Sequence, residues 1–166
     1  MSRVGIDDLE DLQSVRGSSS SIDELIEAQS EAVVSFTSDT GWASGVVMSY
    51  VRHGGAFWVT AVSDRAHAKA FRRDPRVSLV ISATGTDLPG RRMVSVRCLA
   101  HAHVDEATRH WFYGALGERL SVEDRDAFFS LLDSENRVVF ELRPVRVAVS
   151  HDSRKLPGDG RGGSAP

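Results

Sequence analysis

With 166 residues, 41% of them hydrophobic, the chain is long enough to bury one sizeable core and too short for two comfortable domains. A formal net charge of -3 spreads no broad basic field, so nucleic acid is not an expected partner and any anion site must be local. The single cysteine, Cys98, can form no intramolecular disulfide; the opening MSRVGIDDLEDLQ lacks the apolar run of a signal peptide, and no window suits a bilayer, so a cytoplasmic protein without membrane contact is expected.

The opening stretch places Ile6, Leu9 and Leu12 at helical spacing, and RGSSSS follows as a flexible polar segment. SIDELIEAQ then reads as a short helix with Ser21 as N-cap, Asp23 and Glu24 in its first turn, and Ile22, Leu25 and Ile26 on one side. Residues 1–30 are therefore expected to be a helical arm and linker.

From Ala32 the character changes. AVVSFTS, ASGVVMSYV, AFWVTAV, RVSLVIS, RMVSVRCLAHAHV and RVVFELRPVRVAV are rich in β-branched and aromatic residues, which predicts six strands. RHGG, at Arg52 to Gly55, has hairpin length, and ATGTDLPGR joins the fourth and fifth strands through several breakers. Two helical runs separate the last pair: EATRHWFYGALGERL, entered from Asp105 as N-cap, and VEDRDAFFSLLDS, where Ser121 to Asp124 has capping-box spacing. A six-stranded antiparallel sheet of this length twists and needs its edges protected, so the expected fold is mainly β with peripheral helices, a split β-barrel over residues 31–150. The Gly-, Pro- and charge-rich tail, residues 151–166, has no apolar periodicity and is expected to be disordered.

The turn after FWVT concentrates charge. Ser63 can cap a helix beginning near Asp64 and ending at the DP step, and a helix N-terminus offers unpaired N–H groups to an anion. Arg65, His67 and Lys69 add positive charge and Thr60 a hydroxyl, while the apolar strand beside them can back a ring. A phosphorylated, planar ligand fits these residues; a basic helix face paired with Asp64 and Asp74 and bathed in water fits them equally.

The order strand, WVT, basic turn, short helix, RRDPRVSLVIS, breaker-rich loop and long strand resembles the pyridoxamine 5'-phosphate oxidase-like family of flavin-binding split β-barrels, over roughly Glu31 to Val149. That resemblance implies a homodimer holding flavin mononucleotide (FMN) between subunits, or the deazaflavin F420 in its place, and an oxidoreductase acting on a small molecule. It implies a ring beside Ser44, Val46 and Met48, with Trp58, Val59 and Thr60 alongside, a phosphate on Arg65, His67 and Lys69, and Arg92 at the ring edge or on a substrate anion. SGVVMS carries none of the basic residues that hold the phosphate in the vitamin-making oxidases, and the C-terminal arginine and histidine segment that grips pyridoxal is missing, so a true pyridoxamine phosphate oxidase is not expected. The alternative is a non-catalytic flavin, F420 or haem carrier or sensor, with His67, His101 or His103 as axial ligand. A third is a dimeric interaction module without cofactor.

HAHVD puts His101 and His103 on one strand face, but no further ligand pair accompanies them and no metal site is assigned. Trp111, Phe112 and Tyr113 suit an interface more than a site, and Cys98, with no activating base beside it, reads as packing rather than as a nucleophile.

Overall fold

The computed structural model describes residues 15–156 and 158. The expected helix around Ile6, Leu9 and Leu12 and most of the expected tail lie outside them. Helix α1 (Ser19–Ala28) leads into strands β1 (Glu31–Thr37), β2 (Ala43–Ser49), β3 (Val51–His53) and β4 (Ala56–Val62). Helix α2 (Ala66–Arg73) precedes β5 (Arg76–Ser82) and β6 (Arg92–His103). Helices α3 (Glu106–Arg119) and α4 (Arg125–Leu132) then lead to β7 (Arg137–Asp152) and a 3-10 turn, Ser153–Lys155.

The strands form one antiparallel sheet of seven in the order β2-β1-β5-β6-β7-β4-β3, one more than the sequence predicts. The difference lies at Tyr50. Its backbone N–H donates to Ser30 O at 3.0 Å, outside any strand ladder, and its hydroxyl donates to Ile26 O at 2.7 Å. The predicted second strand therefore breaks in two. β2 lies at one edge of the sheet and β3 at the other, with only Tyr50 between them in sequence, so the sheet must curl until its edges approach. The result is a half-barrel whose seam is crossed by chain rather than by a hydrogen-bonded ladder. The β3–β4 hairpin closes through Gly54 and Gly55, with φ of 59° and 78°, the backbone a two-residue hairpin turn requires.

Alternation fills the barrel. Val34, Leu79, Ile81, Val94, Val59, Phe140 and Leu142 are buried on its inner face with Phe71 of α2 and Leu25 and Ile26 of α1. Each such side chain contributes about 1.5–3 kcal/mol of burial. A second cluster, Val51, Phe112, Tyr113, Leu116, Leu132 and Val139, lies between the barrel wall and the α3–α4 pair. It takes up Phe112 and Tyr113, whereas Trp111 stays partly exposed.

Local starts and stops depart from expectation where tertiary partners compete. α1 is capped by Ser18, whose hydroxyl accepts from Ser21 N, so the helix begins inside RGSSSS; Ser21 is buried and donates instead to Asp152. Asp105 caps α3 as expected, but α4 starts at Arg125 with Asp124 as cap, and Ser121 sits at φ 52° in the preceding turn. β7 runs past Val149 to Asp152, and Asp152 and Ser153 are buried. Ser21 and Arg154 hold Asp152 there, so ordered structure continues beyond the expected boundary at residue 150. No helix among the described residues is long and apolar enough to cross a membrane.

Candidate functional site

The seam of the half-barrel opens as a cleft of about 430 Å³ between β2 and β4, within the roughly 300–1,000 Å³ usual for small-ligand sites. Val47, Met48 and Ser49 form one wall, and Thr60, Ala61 and Val62 another. Leu116, Leu120, Phe128 and Leu132 of the α3–α4 pair close the back, Arg137 stands at the start of β7, and Arg65 and His67 guard the remaining side.

Arg65 is the N-cap of α2, yet its side chain makes no capping bond, and it makes no hydrogen bond or ion pair with a side chain among the described residues. The N-terminus of α2 thus stands at the cleft without a side-chain cap, with the Arg65 guanidinium beside it. Ser63 does not cap this helix. The chain turns through residues 63–65 first, Ser63 N donates to Asn136 O at 2.7 Å, and its hydroxyl accepts from Arg72 at 3.1 Å. The DP step ends α2 as expected, with Asp74 as C-cap.

His67 follows Arg65 into the cleft, with its ring against Phe36 and Phe71. Burial, and then the Arg65 charge, push its pKa below the ordinary imidazole value, so at neutral pH it is in the neutral form. Lys69 does not join them. In a helix, residues two apart leave opposite sides, and Lys69 points to Asp64 at 3.7 Å. Thr60 lines the cleft and donates its hydroxyl proton to Val138 O at 2.9 Å, which leaves its oxygen lone pairs to accept.

The other expected ring contacts separate. Ser44, Val46 and Met48 share the inner face of β2, but only Met48 lines the cleft, and Val46 packs on the core. Val59 is fully buried in the barrel. Trp58 lies one alternation along from Thr60 in another recess, with His53 and Trp111; its indole donates to His53 O and its ring centroid is 5.0 Å from that of Trp111 and 5.2 Å from that of His103. Arg92 is 3% exposed and bound to Glu24 and to Pro89 O, so it is not among the residues lining the cleft.

His101 and His103 stack edge to face at 4.8 Å, and His103 meets Glu141 at 3.2 Å. Among the described residues no group of three or more His, Cys, Asp or Glu is placed to hold a metal. Cys98 is buried and desolvation pushes its thiol up to about 12, so it carries no thiolate at neutral pH. Sequence reasoning misses Arg137 and the four apolar residues behind the cleft, because only the packing of α3 and α4 brings them there.

A match to pyridoxamine 5'-phosphate oxidase spans residues 19–151. No curated protein sequence matches the chain. Among solved structures, a conserved hypothetical protein from Mycobacterium tuberculosis superposes with a TM-score of 0.75 at 22% identity, covering 91% of this chain and 96% of that one. The haem storage protein HutZ from Vibrio cholerae gives 0.65 at 17% identity, covering 80% and 94%. An F420 reductase gives 0.61 at 19% identity, covering 76% and 94%. At these identities the superpositions establish the fold alone.

Proposed function

The chain belongs to the pyridoxamine 5'-phosphate oxidase family, and from that premise we propose that it is a homodimeric, flavin-dependent oxidoreductase with FMN, or F420 in its place, in the cleft between β2 and β4. The observation that carries this reading is Arg65: an uncompensated guanidinium at an uncapped helix N-terminus, opening on an apolar-walled cleft. The donor set fits an anionic head group through the α2 N–H groups and Arg65, and the walls of Val47, Met48, Leu116 and Phe128 fit a planar ring.

When bound, a flavin or deazaflavin supplies hydride transfer. The chain's own residues bind, orient and exclude water. Arg65 anchors the head group, Thr60 accepts a hydrogen bond, and the apolar back wall keeps solvent from the ring. His67, neutral at the cleft mouth, is able to take up or return a proton at an imidazole nitrogen. Lys69 is left to its surface pair with Asp64. Without a basic residue on β2, the site suits a reaction other than pyridoxamine phosphate oxidation.

A second copy is the expected cover for the outer face of the sheet. Val47, Val33, Val80, Ser95 and Val149 are successive cross-strand partners there, and Val47 and Val149 are more than half exposed. Val47 belongs both to that row and to the cleft, so a partner seated on the row would reach the cleft's open side. A second reading, a haem carrier, is favoured by one observation: the neutral imidazole of His67 is in the ligating form.

The test is the visible spectrum of the purified protein, then anaerobic reduction and mixing with electron acceptors. A flavin or F420 band and repeated turnover support the oxidoreductase. A Soret band, or a cofactor released without turnover, overturns it.

A further inference from the structure

Arg137 is the second guanidinium of the cofactor cleft, and the chain brings it to the same end as Arg65. Val62, the last residue of β4, is the cross-strand partner of Arg137, the first of β7. Ser63 N donates to Asn136 O at 2.7 Å and Arg65 N to Val62 O at 3.0 Å, so both arginines leave the backbone at one end of the β4–β7 ladder. Arg137 shares its face of β7 with Val139, which is buried in the cluster under α3 and α4. Two residues nearer the strand end, Arg137 is only partly buried and reaches the cleft.

One edge of this guanidinium is already fixed. Its Nε donates to Leu132 O, at the end of α4, at 3.2 Å, while its Nη groups make no hydrogen bond or ion pair among the described residues. Asp133, the next carboxylate along the chain, turns to His110 at 3.4 Å instead. No Asp or Glu is among the residues lining the cleft, so Arg65 and Arg137 present two positive charges to it that no lining carboxylate answers.

The count of charges and oxygens discriminates between ligands. A terminal phosphomonoester carries about -2 near neutral pH and three acceptor oxygens. A phosphodiester carries a single charge and two such oxygens, so two guanidiniums suit the first better than the second.

We propose that Arg137 is the second phosphate ligand of this cleft and a specificity-determining residue: with Arg65 it selects a cofactor that ends in a phosphomonoester, FMN, over F420, whose phosphate is a diester. This inference rests on the cofactor reading above and narrows it from two cofactors to one. The bond to Leu132 O holds the fork in place, so little side-chain freedom is lost when the phosphate arrives. Both arginines come from one chain and from the cleft itself, not from the outer-face row that a second copy covers.

The experiment titrates the full chain with FMN, riboflavin and F420, read by tryptophan fluorescence, and repeats the titrations with Arg137→Gln, Arg137→Lys and Arg65→Gln. The unaltered protein is expected to bind FMN at least ~10-fold more tightly than F420 or riboflavin. Arg137→Gln should weaken FMN at least ~10-fold and leave riboflavin, which has no phosphate, within about twofold. Arg137→Lys keeps a donor for Leu132 O, and with it the end of α4, but loses the planar fork; it should weaken FMN by less and again spare riboflavin. An Arg137 that only holds α4 would lower FMN and riboflavin alike. That result, FMN affinity unchanged in both Arg137 variants, or F420 bound as tightly as FMN, overturns the proposal. F420 binding that is lost in Arg65→Gln would leave the cofactor reading standing while this inference falls, whereas no binding of either cofactor removes both.

Discussion

The arginines where the two ends of the chain meet and the arginine at the start of α2 differ in what stands opposite them. At the meeting of the ends, Arg92 is bound to Glu24, and Arg154 clasps Asp152 at 2.6 Å while Ser21 donates to the same carboxylate. Asp152 is held well below the usual carboxylate range, first by its bonds from Arg154. Each guanidinium there meets a carboxylate, although Arg92 Nη2 is buried without a hydrogen-bond partner among the described residues, and the group ties α1 to the end of β7. At the cofactor cleft Arg65 has no counter-charge, the helix behind it is uncapped, and His67 is kept neutral. The contrast teaches that a basic residue in a strand-and-turn fold is informative only with its partner: compensated charge holds the fold, and uncompensated charge beside a cleft is available to a ligand.

The largest effect should come from breaking the compensated group. Glu24→Ala leaves the buried Arg92 guanidinium unanswered and should cost about 2–3 kcal/mol in urea denaturation, below the full buried-pair loss because half of Glu24 reaches water. Arg92→Met, which removes the charge itself, should cost less. A Glu24→Ala loss near zero would mean that Arg92 acts by packing alone.

Titration of His67 gives a smaller effect. Its pKa is lowered in the folded protein, so its contribution to stability is complete above the ordinary imidazole value and is lost as pH falls through the lowered one. A bound phosphate reverses the preference, because an adjacent anion favours imidazolium. FMN affinity should therefore rise between about pH 8 and 6, and His67→Gln should flatten the profile. A rise that survives this substitution would assign the titration to another group.

Lys69→Ala should change least. Its pair with Asp64 is exposed, worth about 0–1 kcal/mol, and cofactor affinity should stay within about twofold. A large loss would restore Lys69 to the anion site.

Much of the fold is legible in the sequence because alternation and β-branching act locally: AFWVTAV and RVSLVIS are strands β4 and β5 to the residue. What escapes is set by distant partners. The break at Tyr50 depends on Ser30 and Ile26, and the true cap of α1 on the capture of Ser21 by Asp152. Pro144 sits inside β7, opposite Cys98, beside one of the bulges that admit a residue without an N–H. In the cleft, Arg65, His67, Thr60 and Met48 are legible from their order along the chain. Lys69 is misplaced because, two residues on from His67 in the same helix, it leaves the other side and meets Asp64. Arg92 is misplaced because its partner, Glu24, is 68 residues away.

The most direct test of the cofactor cleft is a titration of the folded protein with FMN and with F420, in parallel with Arg65→Ala and the Arg65→Ala/His67→Ala pair. The account predicts saturable binding of one of them, weakened about 10- to 100-fold by Arg65→Ala and further in the pair, with melting temperatures little changed. Affinity that is unchanged in these variants, or no binding of either cofactor to the unaltered protein, would contradict it.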